Sequence, residues 1–276
     1  MRTPRPQVSR RRAWIHVATV GVVLALGVGC GARAAEKLID PRLRETGELL
    51  EREGRGRALV FGAYRVAGLE RSEELFGDEI SHGPLAPDAG GRTRPTQQVR
   101  LRFGLVGGPR TWRASCVGQR RQPPDHDFAA VADELRDEVA LRCELTAEVG
   151  APDTGEGTGE GGESERWVLS LDGRLADNLL GELVEQVELA EQLDTRPASR
   201  RAVEVVMWHR LWNISRRHLP ASLVAVRSLD GGQTDAALIM TAREQVVLDP
   251  SLGPDGEALV LATMLAIRLM PLGFDA

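Results

Sequence analysis

The sequence predicts a mainly β fold, an antiparallel barrel or sandwich packed around an apolar C-terminal helix. Three observations carry that expectation. At least seven strand-like segments recur with glycine-bearing turns between them, residues 98–118 read as a tight hairpin, and residues 258–267 are apolar on every side except Thr263. A helix with no polar face must be enclosed by protein or lipid. At about 1.5 Å per residue it spans only some 22 Å, less than a bilayer, so enclosure within the protein core is expected.

The chain begins with Arg2, Arg5, Arg10, Arg11 and Arg12 and no acid, followed by an apolar run from Trp14 to Val28. That order is expected of a signal peptide over residues 1–29. The run is interrupted by His16 and Thr19 and is shorter than the about 20 apolar residues of a spanning helix, so cleavage is expected rather than retention. Two cleavage readings compete in "LALGVGCGARAA". Gly27, Val28, Gly29 and Cys30 resemble the bacterial lipoprotein pattern, in which a small residue and Gly or Ala precede the cysteine that receives a diacylglycerol. Gly27 stands where that pattern usually has a branched residue. The rival is cleavage after Ala34, with Ala32 and Ala34 as the small residues. Lipidation at Cys30 is the expectation, because a cysteine closing the apolar run rarely has a structural role there. Arg11, Arg12, Ala13, Trp14, Ile15 and His16 also loosely resemble the twin-arginine export signal.

Residues 30–56 are charged and helix-favouring and read as a tether with a short helix; residues 57–276 read as a single β-rich domain. In that domain "RALVFGAYRVAGLE" reads as a strand, bulged at Gly62. Residues 81–96 are a loop by composition. In "QVRLRFGLV", Val99, Leu101, Phe103 and Leu105 alternate with Arg100 and Arg102; "GGPR" then turns the chain and "TWRASCVG" returns it. "FAAVADELRDE" follows as a short helical stretch, then a strand over 139–149 and an acidic Gly-rich loop over 150–165, which cannot bury apolar surface. "RWVLSLDGRLADNLLGELVE", "RAVEVVMWHRLWNIS", "ASLVAVRSL" and "DAALIMTAREQVVLD" supply the remaining extended segments. The final helix is expected at about 256–270. Asp255 is its expected cap, Glu257 lies in its first turn, and Arg268 complements the dipole near its end.

Of the 35 basic residues only Lys37 is lysine, a skew that reflects a GC-rich bacterial genome rather than a nucleic-acid surface. Loss of residues 1–29 would remove five arginines and no acid, leaving 30 basic against 40 acidic residues and a net charge of −10. That balance excludes a phosphate-backbone footprint, so no nucleic-acid partner is expected. An aromatic content of 4%, with Tyr64 the single tyrosine, argues against recognition by stacking. With Cys30 assigned to lipid, Cys116 and Cys143 remain as a pair in an oxidising compartment. Each shares a face with apolar neighbours, Trp112 and Ala114 for Cys116 and Leu141, Leu145 and Ala147 for Cys143, so a disulfide is expected. The competing reading is two separate buried thiols.

Strands followed by an all-apolar C-terminal helix resemble the tubby-type and phospholipid-scramblase-like barrels, in which a closed sheet wraps such a helix. The order "YRVAGLE", "TWRASC" and "VVLDPSL" before the helix resembles uncharacterised exported lipoproteins of GC-rich bacteria. The likeness spans about residues 57–272. It implies a barrel and carries no catalytic residue across, and no basic phosphoinositide cradle matching the tubby pattern is present.

No nucleophile elbow, Walker loop or zinc-protease motif occurs. His126 between Asp125 and Asp127 reads as a solvated turn rather than a metal site, since neighbouring side chains on extended backbone point apart. His209 and His218, near Trp208 and Trp212, read as ordinary histidines beside packed aromatics, and Asn213 to Ser215 as a coincidental glycosylation sequon. No catalytic residue, metal or cofactor is assigned. The expectation is a lipid-anchored envelope lipoprotein, exported to face the periplasm or cell surface. Its barrel would be a non-catalytic binding or scaffolding module with a membrane and an envelope protein as partners. The alternatives are an exported hydrolase with a site assembled from loops, and a lipid or hydrophobic-ligand binding protein.

Overall fold

The "GGPR" turn places two alternating segments back to back, and that hairpin is the unit repeated through the fold. The computed structural model describes residues 37–53, 59–77, 95–121, 137–148, 165–175, 178–186, 199–207, 221–229, 232–240 and 244–270. A short helix α1 (Pro41–Thr46) precedes twelve strands: β1 (Glu48–Glu53), β2 (Val60–Phe61), β3 (Tyr64–Gly77), β4 (Pro95–Val106), β5 (Thr111–Arg121), β6 (Glu138–Glu148), β7 (Arg166–Arg174), β8 (Leu179–Glu185), β9 (Arg200–Met207), β10 (Ala221–Ser228), β11 (Thr234–Ile239) and β12 (Gln245–Leu248). A 3-10 turn (Pro250–Leu252) leads into helix α2 (Gly253–Leu269).

Each strand pairs antiparallel with the next in sequence, and β1 pairs with β12 from Glu48↔Leu248 to Glu51↔Gln245, closing a meander into a barrel. A closed sheet leaves few main-chain groups unpaired, which is why weakly apolar strands such as β1 can belong to it. The wall of β4 to β7 alternates strictly: Val99, Leu101 and Phe103, Trp112, Ala114 and Cys116, and Leu141, Cys143 and Leu145 are buried, while the residues between them face outward.

The barrel is filled by α2. Residues 258–267 are all buried, and the helix touches β4, β5 and β6 on one side and β10 and β11 on the other. Thr263 meets this apolar surround by donating its hydroxyl to the Leu259 carbonyl at 2.9 Å, so its polar atom is satisfied within the helix. Outside the wall, Leu43 of α1 and Ile39 just before it cover β10 to β12 and pack on Leu223, Ala237, Ile239 and Val247. Among the described residues no helix is long and apolar enough to cross a membrane, a statement that does not bear on strands.

Several boundaries differ from expectation. Residues 48–53, assigned to the tether of 30–56, form β1 of the wall, and the fold begins before residue 57; main-chain pairing to β12 and β2 places it, and its charged side chains give no apolar signature. Gly62 lies in the turn between β2 and β3 rather than in a bulge. The bulge is at Gly68, where the register shifts between Ala67 and Glu70 and φ is +59°, a conformation glycine adopts without strain. The segments 166–185 and 234–248 are each two strands. The helix starts at Gly253, so Asp255 lies in its first turn, and the capping acid is Asp249, which accepts the Ser251 N–H at 2.9 Å and starts the 3-10 turn. Residues 1–29, expected as a signal peptide, Cys30 and residues 150–164 of the expected loop lie outside the described residues.

Candidate functional site: the barrel ends and the outer wall

Cys116 and Cys143 stand directly opposite on β5 and β6, with Cα atoms 4.0 Å apart, and are joined by a disulfide. Both face the interior, as the apolar spacing around them implied. With α2 filling the lumen, the places left for chemistry are the two ends of the barrel and its outer surface.

At the end where α2 begins, the Tyr64 hydroxyl of β3 donates to Glu257 Oε2 at 3.0 Å and lies 3.3 Å from the Pro254 carbonyl. Burial, then the hydrogen bond to Glu257 and the charge of that acid, push the phenol well above its ordinary value. Arg110 in the β4–β5 turn reaches Glu165 at 2.8 Å and Asp255 at 3.5 Å, and Glu165 also accepts the Trp167 indole N–H at 2.7 Å. The buried Trp112 Nε1 has no hydrogen-bond partner among the described residues. Close by on the α1 side, Arg42 bonds Asp249 at 2.9 Å. The Ser251 N–H donated to Asp249 is the chief cause that holds this carboxyl below the usual carboxylate range. Asp235, paired with Arg201, moves the other way, because burial raises it more than the guanidinium lowers it.

At the end where α2 finishes, Glu244 just before β12 is 5% exposed and accepts from Arg52 of β1 at 2.9 Å and from Arg268 of α2 at 2.5 Å. One acid therefore ties the closing strand, its neighbour and the core helix together. At the same end of the barrel Asp137, 1% exposed, accepts from Arg120 at 2.6 Å. Each acid is engaged with a cation, so Glu244 locks helix to wall, Asp137 ties the start of β6 to β5, and neither stands ready as a general base. The sequence read Arg268 only as a dipole complement and did not single out Glu244 or Arg52. Their separations of 24 and 192 residues leave no local pattern to find them by.

Two open grooves cross the outer wall. One of about 690 Å³ lies over β4 to β7 and carries Arg121 and Arg174 against Glu138 and Asp172. The other, of about 610 Å³, lies over the Gly68 bulge and carries Arg102 and Arg113 against Glu70 and Glu144. Each groove balances two cations with two acids, which selects neither an anion nor a cation. No group of three or more His, Cys, Asp or Glu that could hold a metal occurs among the described residues. Asp125, His126, Asp127, His209, Asn213 and His218 all lie outside the described residues, so the structure brings none of them to a site. Comparisons with protein families, with curated proteins and with solved structures returned no match.

Proposed function

We propose that the chain is an exported envelope lipoprotein, held at a membrane by lipid on Cys30, whose barrel acts as a non-catalytic binding or scaffolding module facing the periplasm or cell surface. The observation that carries this reading is the Cys116–Cys143 bridge, since disulfides persist in oxidising compartments and are rare where thiols are kept reduced. An export-type N-terminus and an oxidised core pair are independent features that point to the same address. The filled lumen supports a scaffold over a carrier, because an acyl chain needs the space that residues 258–267 occupy. The ionic ends support a rigid module, since Glu165, Asp249, Glu244 and Asp137 are each tied to an arginine and Glu257 accepts from Tyr64. The resemblance to exported lipoproteins with a helix-filled barrel belongs to this same proposal and adds no residue to it.

The experiment is metabolic labelling of the full chain with palmitate in a bacterial host, with and without the lipoprotein signal-peptidase inhibitor globomycin. Labelling and globomycin-sensitive processing are expected in the wild type and are lost in Cys30→Ser. Label that persists in Cys30→Ser rejects the anchor, and cleavage after Ala34 in the wild type assigns ordinary signal processing instead.

A further inference from the structure

The barrel is sealed at β2 by only two residues, and that brevity leaves an edge. Strand β3 pairs with β4 along its whole length, but with β2 only at Arg65↔Val60 and Tyr64↔Phe61, the ladder ending at the bond from Val66 N–H to the Leu59 carbonyl. Beyond Val66, no strand among the described residues pairs with the other side of β3.

That edge has a defined polarity. On one strand, residues whose side chains face the same way also turn N–H and C=O to the same lateral side. Tyr64 and Val66 face the core, and the Val66 N–H points to β2. After the Gly68 bulge the core-facing set passes to odd numbers, with Arg71 opposite Leu101 and Glu73 opposite Val99. Arg71, Glu73 and Leu75 therefore present their main-chain groups to the open side. Their side chains are exposed, and Leu75, 77% exposed, and Leu69, 41% exposed, are apolar groups left in water.

We propose that this edge is a self-association surface, on which β3 of a second copy pairs antiparallel about a two-fold axis at Ser72. Antiparallel pairing matches edge-directed residues only with one another, so the axis must fall on a residue and not between two. An axis at Arg71 sets Arg71 against its own copy, and one at Glu73 sets Glu73 against its own copy. An axis at Ser72 gives Arg71 opposite Glu73 of the second copy, twice, and Leu69 opposite Leu75 of the second copy, twice. Charges on a strand edge ordinarily forbid pairing; here they forbid the neighbouring registers and complete this one. Within one chain Arg71 already bonds Glu73, so the pair exchanges partners on association rather than losing them. On the outward face Glu70 meets Glu74 of the second copy, and Arg102 and Arg100 of β4, opposite Glu70 and Ser72, offset that repulsion.

Sedimentation of the full chain in mild detergent tests the surface. The wild type is expected to dimerise. Arg71→Glu and Glu73→Arg each turn two attractive cross-strand pairs into repulsive ones and raise the dissociation constant roughly tenfold or more, and the double exchange Arg71→Glu with Glu73→Arg restores it. Independently, Ser72→Cys places two thiols on the axis, where facing Cα atoms lie about 4.5 Å apart, and is expected to give a disulfide-linked dimer on oxidation. Glu70→Cys and Glu74→Cys each fail to crosslink alone but crosslink when mixed. All five positions are exposed, so the variants fold. A wild type that stays monomeric, or a dimer indifferent to the charge exchanges, overturns the proposal.

Discussion

The walls on either side of α2 do the same work inward and opposite work outward. On β4, β5 and β6 the inward residues pack on the helix while Arg113, Ser115, Val117 and Arg142 stand in water. On β10, β11 and β12 the outward residues are buried as well, because α1 lies over Leu223, Ala237, Ile239 and Val247. One wall is a boundary and the other an interior layer between two helices. The difference teaches that closure of the barrel alone does not complete the core; a six-residue helix outside it and the residue Ile39 before it close a second apolar cluster on the wall.

The contrast breaks most sharply at Ala237. It is outward-facing on β11, fully buried, and directly opposite Ala225 and Val247. Ala237→Asp places a carboxylate among the apolar side chains of Ile39, Leu43 and Ile239. A loss of about 4–5 kcal/mol or more is expected, enough to abolish the cooperative thermal transition by circular dichroism. Retention of a wild-type melting temperature would mean that α1 leaves the wall readily and that β10 to β12 are not an interior layer.

How legible each wall is follows from the same contrast. Alternation survives in sequence where one face meets water, so the β4–β5 hairpin and the facing of Cys116 and Cys143 are readable from residue spacing. Where both faces are buried, alternation disappears, and "DAALIMTAREQVVLD" reads as one segment although it is β11 and β12. The residues joining those strands include neither Gly nor Pro, so no turn signal divides them. β1 is hidden for another reason: "ELLERE" is charged, and it enters the barrel through main-chain pairing with β12. The apolar C-terminal helix is the most legible element, because only enclosure satisfies it. The Arg52, Glu244 and Arg268 cluster is the least legible, since only the closed barrel unites the ends of β1, β12 and α2.

A milder test removes part of the cover and leaves the wall intact. Leu43 is fully buried on α1, and Leu43→Ala deletes the contact without adding charge. A loss of about 2–4 kcal/mol is expected by denaturant titration, with the slope of the transition unchanged. A loss below about 0.5 kcal/mol would reduce α1 to an ornament on a barrel that needs only α2.

Val117 supplies the smallest effect and fixes the other side of the comparison. It faces outward on β5 as Ala237 does on β11, but it is 39% exposed, and its direct cross-strand neighbours are Arg100 on β4 and Arg142 on β6. Val117→Asp sacrifices some strand propensity and gains two opposite-charge neighbours, terms of similar size and opposite sign. The net change is expected within about 0.5 kcal/mol, measured in the same denaturant titration as Leu43→Ala. The same aspartate thus unfolds the protein on one wall and is accepted on the other, although both positions lie on the outside of a closed barrel. If Val117→Asp proved as damaging as Ala237→Asp, the outer face of β4 to β6 would have to be covered too, and the distinction between boundary and interior layer would fail.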